Sequence, residues 1–185
     1  MFVQLNHLKS KELQSDLDAI HVVFEVSLFD IVDQTESSNT LAIHQQMLLN
    51  CEHLAIEKEL DLNTLIIEKL DSTLVDIDSL DKPNLFSGHN WFLNLLESVI
   101  DPPYGTTLAH SNRVAFFKKF TQLCLLTEKD CEIYDWVGYP GSGRDNDSEW
   151  NDYFEPGREW WGNWCLTIYS PQQNKGCLLL ASSTD

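Results

Sequence analysis

Up to about residue 126 the apolar side chains return in steps of three and four, and beyond Tyr134 they stop doing so. That break constrains the chain more than any other feature. A period near 3.6 asks for amphipathic helices that bury one stripe each, and its loss asks for another kind of structure. Leu13, Leu17, Ile20, Phe24, Leu28 and Ile31 form one stripe and predict a helix over residues 10–37, with Ser10 at its start. Within it, Val22-Val23-Phe24-Glu25-Val26 favours extended backbone and leaves a strand as the alternative. Leu41, His44, Leu48, Cys51 and Ala55 predict a second helix over 40–60, and Leu65, Ile66 and Leu70 a third over 63–70. Residues 71–83 read as an acidic connector. Two more helices are predicted over 87–100, ended by Pro102-Pro103, and from Ser111 through Cys124, with a further helical turn after Thr127.

The rest of the chain has a different character. Residues 135–162 are rich in Gly, Pro, Asp, Asn and aromatics without a sustained period. Residues 164–169 and 177–181 read as two strands, with the turn between them over 171–176. The expected fold is therefore α+β: one mainly helical domain over 1–185, with a helical core over about 10–134 and a C-terminal β-hairpin over about 164–181. A chain of 185 residues buries enough surface to fold without a disulfide or a metal. Its cysteines, Cys51, Cys124, Cys131, Cys165 and Cys177, form no CxxC pair and read as reduced core residues, with a Cys165–Cys177 bridge across the turn as the alternative. The N-terminus lacks the pattern of a signal peptide, and no apolar run is long enough to span a bilayer, so the expected location is cytoplasmic.

Charge narrows the function classes. Asp and Glu total 29 against 12 Lys and Arg, for a net charge of −17. Such a surface repels phosphate, which excludes direct nucleic-acid binding by backbone neutralisation and docking on anionic membranes. Motifs for catalysis or metal binding are missing as well. There is no HExxH and no Glu-x-x-His, and the i, i+4 pairs His21/Glu25 and His53/Glu57 read as surface hydrogen bonds on helices. Asp145-Asn146-Asp147 opens like a calcium loop, but Glu149 stands fifth and Trp150 occupies the sixth position, where glycine is required. Gly138-Tyr139-Pro140-Gly141-Ser142-Gly143 lacks the Lys-Ser/Thr ending and the helix that would make it a phosphate cradle. Cys165 or Ser142 could be paired with His89 or His110 as nucleophile and base, but no flanking pattern supports either. No catalytic residue, metal or cofactor is assigned.

The informative stretch is 136–164, which holds five of the six tryptophans. These rings could simply fill gaps between the helices and the hairpin. Interleaved with carboxylates, they also have the composition of an interface, since Trp, Tyr and Arg dominate binding hot spots and surrounding charge steers encounter. The expected partner-binding residues are Asp135, Trp136, Asp145, Asp147, Glu149, Trp150, Asp152, Tyr153, Glu155, Arg158 and Glu159. The implied function is an acidic inhibitor of immunity type that neutralises a basic protein partner such as a nuclease toxin. The alternatives are a small hydrolase or carbohydrate-binding protein using the Trp-rich stretch, and a nucleic-acid mimic.

Overall fold

A computed structural model describes residues 2–19, 23–32, 39–72, 90–100, 110–127, 129–144, 147–158 and 162–183. Strand β1 (Phe2–Leu5), helix α1 (His7–Asp18) and strand β2 (Glu25–Val32) come first. Helix α2 (Leu41–Leu49), the short strand β3 (Glu68–Leu70) and helices α3 (Trp91–Ile100) and α4 (His110–Leu123) follow. The chain ends with β4 (Glu132–Asp135), β5 (Gly162–Ser170) and β6 (Lys175–Ser183). All six strands lie in one antiparallel sheet of order β1-β2-β6-β5-β4-β3.

This corrects the mainly helical expectation: the fold is a six-stranded antiparallel sheet packed against four helices. The expected hairpin exists as β5–β6, but it is the centre of the sheet and no appendage. Burial on both faces explains the error. Val26 and Leu28 of β2 point into a core with Leu13 and Leu17 of α1, Phe92 and Leu95 of α3 and Phe117 and Phe120 of α4. Phe29 and Ile31 point to the opposite side, against Met47 and Leu48 of α2. A strand covered on both faces loses its period of two and reads as a near-continuous apolar run. Phe24, Leu28 and Ile31 then fall at helical spacing by coincidence.

The local signals are consistent with this end point. The cap of α1 lies four residues before Ser10, because the Asn6 side chain accepts the Lys9 amide at 3.2 Å. Ser10 instead ties α1 to the sheet, its hydroxyl donating to the Asn6 carbonyl at 2.8 Å and accepting the Leu28 amide at 2.9 Å. α2 stops well short of residue 60, at Asn50, whose side chain donates to the Gln46 carbonyl at 2.7 Å. The helix expected over 63–70 is a single 3-10 turn, Leu62–Thr64, followed by β3. The helical turn expected after Thr127 gives way to β4, which pairs with β3 and β5. α3 and α4 occupy the predicted regions. Most of the acidic connector lies outside the described residues.

α4 ends in a glycine-type stop carried by a leucine. Leu126 N donates to Thr121 O at 2.8 Å and Leu125 N to Gln122 O at 3.3 Å, with Leu125 at φ 62°. All five cysteines are buried and none is in a disulfide. Cys165 faces the α2 side of the sheet and Cys177 the α3–α4 side, so the bridge considered from sequence has the sheet between its partners. Among the described residues no helix is long and apolar enough to cross a membrane.

Candidate functional site

The segment after β4 is held by its own charges. Asp135, the last residue of β4, is fully buried. Its carboxylate accepts the Tyr139 amide at 2.9 Å, the Val137 amide at 3.2 Å and Arg144 Nη1 at 3.3 Å. Burial pushes the Asp135 pKa up, and the two amides and the guanidinium oppose that rise. Arg144 also donates through Nη2 to the Ile66 carbonyl at 2.9 Å and to Asp147 at 3.0 Å. One guanidinium thus clips the glycine-rich turn, the loop after it and the chain entering β3. Gly138, Gly141 and Gly143, all at positive φ, let that turn close and lead into Arg144.

Beneath the loop lies a buried polar chain. Trp136 is fully buried, and its Nε1 donates to Thr167 Oγ1 at 2.7 Å. The same Thr167 hydroxyl is hydrogen-bonded to His44 Nδ1 at 2.8 Å. His44 is fully buried on α2 with its ring edge against Tyr134, and its Nε2 has no partner among the described residues. Burial lowers the His44 pKa from 6.5 to about 4.

The loop over 147–158 sits on this base. Trp150 is half-buried and donates to the Trp136 carbonyl at 3.2 Å. Trp150 and Tyr153 both meet the buried Phe154 ring edge-on. Arg158 turns back on the loop, its Nη2 donating to the Ser148 carbonyl at 3.0 Å. Gly157 admits no side chain, since a Cβ there would lie 2.3 Å from the Gly162 carbonyl oxygen, and its amide donates to Ser182 Oγ at 2.9 Å. Asn151 links the loop to the chain after α2, donating to the Ala55 carbonyl at 3.3 Å.

The outcome is a sorting of charge. Both arginines in the segment are occupied internally, whereas Glu149, Asp152 and Glu155 are exposed. Across the Asn151–Ala55 link the exposed Glu57, Glu59 and Asp61 stand on the neighbouring loop with Lys58 among them. Sequence reasoning missed these three carboxylates, because no local signal relates residue 55 to residue 151. Of the expected partner-binding residues, Asp135 and Trp136 are buried supports, while Asp147, Trp150 and Tyr153 are half-buried. Arg158 is exposed but engaged, and Asp145 and Glu159 lie outside the described residues.

Residues weighed for chemistry are placed differently. Residues 51–60 form no helix, so His53 does not pair with Glu57. Its Nδ1 lies 3.0 Å from Glu25 Oε2, off the direction of a good hydrogen bond. The Tyr153 hydroxyl also faces Glu25, and burial together with that carboxylate pushes its pKa up strongly. His53 borders a cavity of about 170 Å³ shared with His7, Ser10 and Ser27. The Ser10 hydroxyl is already committed to the backbone, and Ser27 Oγ lies 3.9 Å from the Cys51 sulfur. Cys165 is sealed within the sheet, and burial holds its thiol well above the usual range. Ser142 Oγ accepts the Arg144 amide at 3.2 Å, His21 and His89 lie outside the described residues, and His110 falls in the first turn of α4. Among the described residues no group of three His, Cys, Asp or Glu side chains is placed to hold a metal. No protein-family model matches the sequence, and no curated protein is significantly similar to it.

Proposed function

We propose that this protein is an acidic interaction module of inhibitor type, an immunity-like protein that neutralises a basic protein partner such as a nuclease toxin. One observation carries the reading: among the described residues of the loop over 135–158, Arg144 and Arg158 are engaged within the loop while Glu149, Asp152 and Glu155 are exposed. Glu149, Asp152 and Glu155, joined by Glu57, Glu59 and Asp61, form the charged part of the docking face. Trp150 and Tyr153 supply its aromatic part. Asp135, Trp136, Asp147 and Arg158 hold the loop in shape, so the face meets its partner pre-organised and loses little freedom on binding. Carboxylates projected from such a loop steer a cationic protein toward it, and fast capture is what neutralisation requires. The same face would serve a nucleic-acid mimic, in which case duplex DNA would compete with it for the partner.

The test is a stopped-flow titration against a panel of basic nuclease-toxin domains. Glu149→Lys, Asp152→Lys and Glu155→Lys together should slow association by about tenfold or more at low salt. Glu12→Lys, Asp18→Lys and Glu97→Lys, an equal change of charge at exposed positions on α1 and α3, should slow it far less. Equal losses would reduce the effect to net charge and remove the face. A second reading, a small hydrolase, is favoured only by the His53–Glu25 pair beside its cavity. It requires turnover of an activated ester that disappears in His53→Ala.

A further inference from the structure

A second cavity, of about 210 Å³, lies between the first turn of α1, strands β2 and β6, the β5–β6 turn and the end of α4. Leu28, Leu123 and Leu125 form its apolar lining. Lys9, Lys175 and Asp30 are its charged groups. We propose that this cavity binds a free α-amino acid with an apolar side chain, a site separate from the acidic docking face.

The argument begins with the lysines. In a chain with 29 acidic residues, neither Lys9 nor Lys175 forms an ion pair within the described structure. Both nevertheless line one small cavity. Lys175 is the direct cross-strand neighbour of Asp30, yet no ion pair forms between them. Asp30 Oδ2 accepts from Asn6 Nδ2 at 2.8 Å, and its other oxygen has no donor among the described residues. Two unpaired ammonium groups and one half-satisfied carboxylate are the complement of a zwitterion. The ligand carboxylate meets Lys9 and Lys175, its ammonium meets the open Asp30 oxygen, and its side chain lies on Leu28, Leu123 and Leu125. Gln122 and Gln173 add uncharged donors and acceptors at the same cavity.

Size and charge agree. A volume of about 210 Å³ holds about seven waters at roughly 30 Å³ each, the room one leucine-sized solute needs. The net charge of −17 does not repel such a ligand, because it is neutral overall. Salt also screens distant charges beyond about 8 Å, so the three groups beside the ligand decide its orientation. Leu125 fits the same picture. Its backbone sits where glycine is normally used, and its side chain, 4% exposed, belongs to the wall of the cavity.

The experiment is a nitrogen-15 amide titration of the full chain with L-leucine and, separately, with 4-methylpentanoate, which has the same skeleton without the amine. Leucine should shift the Leu28, Leu125 and Gly176 amides saturably in the millimolar range expected of so small a ligand. The double variant Lys9→Ala/Lys175→Ala should weaken leucine about tenfold or more. Asp30→Asn should weaken leucine and leave 4-methylpentanoate unchanged. The proposal is overturned by an absence of saturable shifts at those amides with leucine, by unchanged binding to the double lysine variant, or by an Asp30→Asn effect equal for both probes. The exposed carboxylates of the docking loops are intact in all these proteins, so the toxin titration and this one fail independently.

Discussion

Acidification should strike this protein first at His44. The imidazole is fully buried, its Nδ1 is hydrogen-bonded to the Thr167 hydroxyl, and its Nε2 has no partner among the described residues. Protonation makes both ring nitrogens donors, and the buried Nε2 donor finds no acceptor among the described residues. Glu132 favours the charged imidazole and Lys69 opposes it, but burial dominates and holds the pKa at about 4 against 6.5 for a free histidine. The unfolded chain therefore binds the proton first. The stability that His44 contributes is complete above pH 6.5, declines as pH falls from 6.5 towards 4, and levels off below 4. A gap of about 2.5 pH units at about 1.4 kcal/mol each amounts to roughly 3.5 kcal/mol, of which about 3 is lost by pH 4, a large share of a typical domain's stability.

Urea unfolding followed by tryptophan fluorescence, at half-unit steps from pH 7.5 to 4, measures that loss. The comparison protein is His44→Asn, which can keep a hydrogen bond to Thr167 and cannot titrate. Asp135, raised by burial, and Glu132, lowered chiefly by its bonds to Lys69 and Thr40, titrate in both proteins and largely cancel in the difference. The wild type should lose about 3 kcal/mol relative to the variant between pH 7 and pH 4. A difference that stays flat within about 0.5 kcal/mol would refute the assignment of His44 as a buried neutral imidazole.

Two further outcomes follow from the same structure. Arg144→Met removes the only cation among the described residues within ion-pair distance of the buried Asp135 and should cost about 3 kcal/mol at pH 7, read from the urea midpoint; that loss should shrink as pH falls and Asp135 takes up a proton, so a pH-independent loss would contradict the pairing. Leu125→Gly relieves left-handed strain of about 1 kcal/mol but removes a buried leucine worth about 2–3 kcal/mol, so a net destabilisation of about 1–2 kcal/mol is expected in the same assay and a stabilised variant would show that the side chain packs poorly.

How much of this was legible in advance depends on where each residue's partners lie in the chain. α3 and α4 were readable because one face of each is buried and the other is wet, which writes a helical period into the sequence. β5 and β6 were readable because β-branched and apolar residues run up to a short polar turn. β2 was misread because helices cover one of its faces and α2 the other, so neither face had to be polar. β1, β3 and β4 are only three or four residues long, too short to carry a period, and exist because their neighbours in the sheet satisfy their backbone groups. The aromatic–acidic stretch was found by composition, but which of its members face water was not.

Composition and charge pattern alone determined that this chain has a large apolar core, a strongly negative surface and an aromatic-rich, irregular segment near its C-terminus. These are sums over residues, and sums do not depend on how the chain is wound. The tertiary structure decided that Trp136 and Asp135 lie inside, that Arg144 and Arg158 are engaged within the loop while Glu149, Asp152 and Glu155 are exposed, and that Asn151 ties this loop to the chain at Ala55. It also brought Lys9, Asp30 and Lys175 around one cavity. Each of these depends on contacts between residues tens of positions apart, and burial and charge pairing act on distance in space, which one-dimensional order does not record.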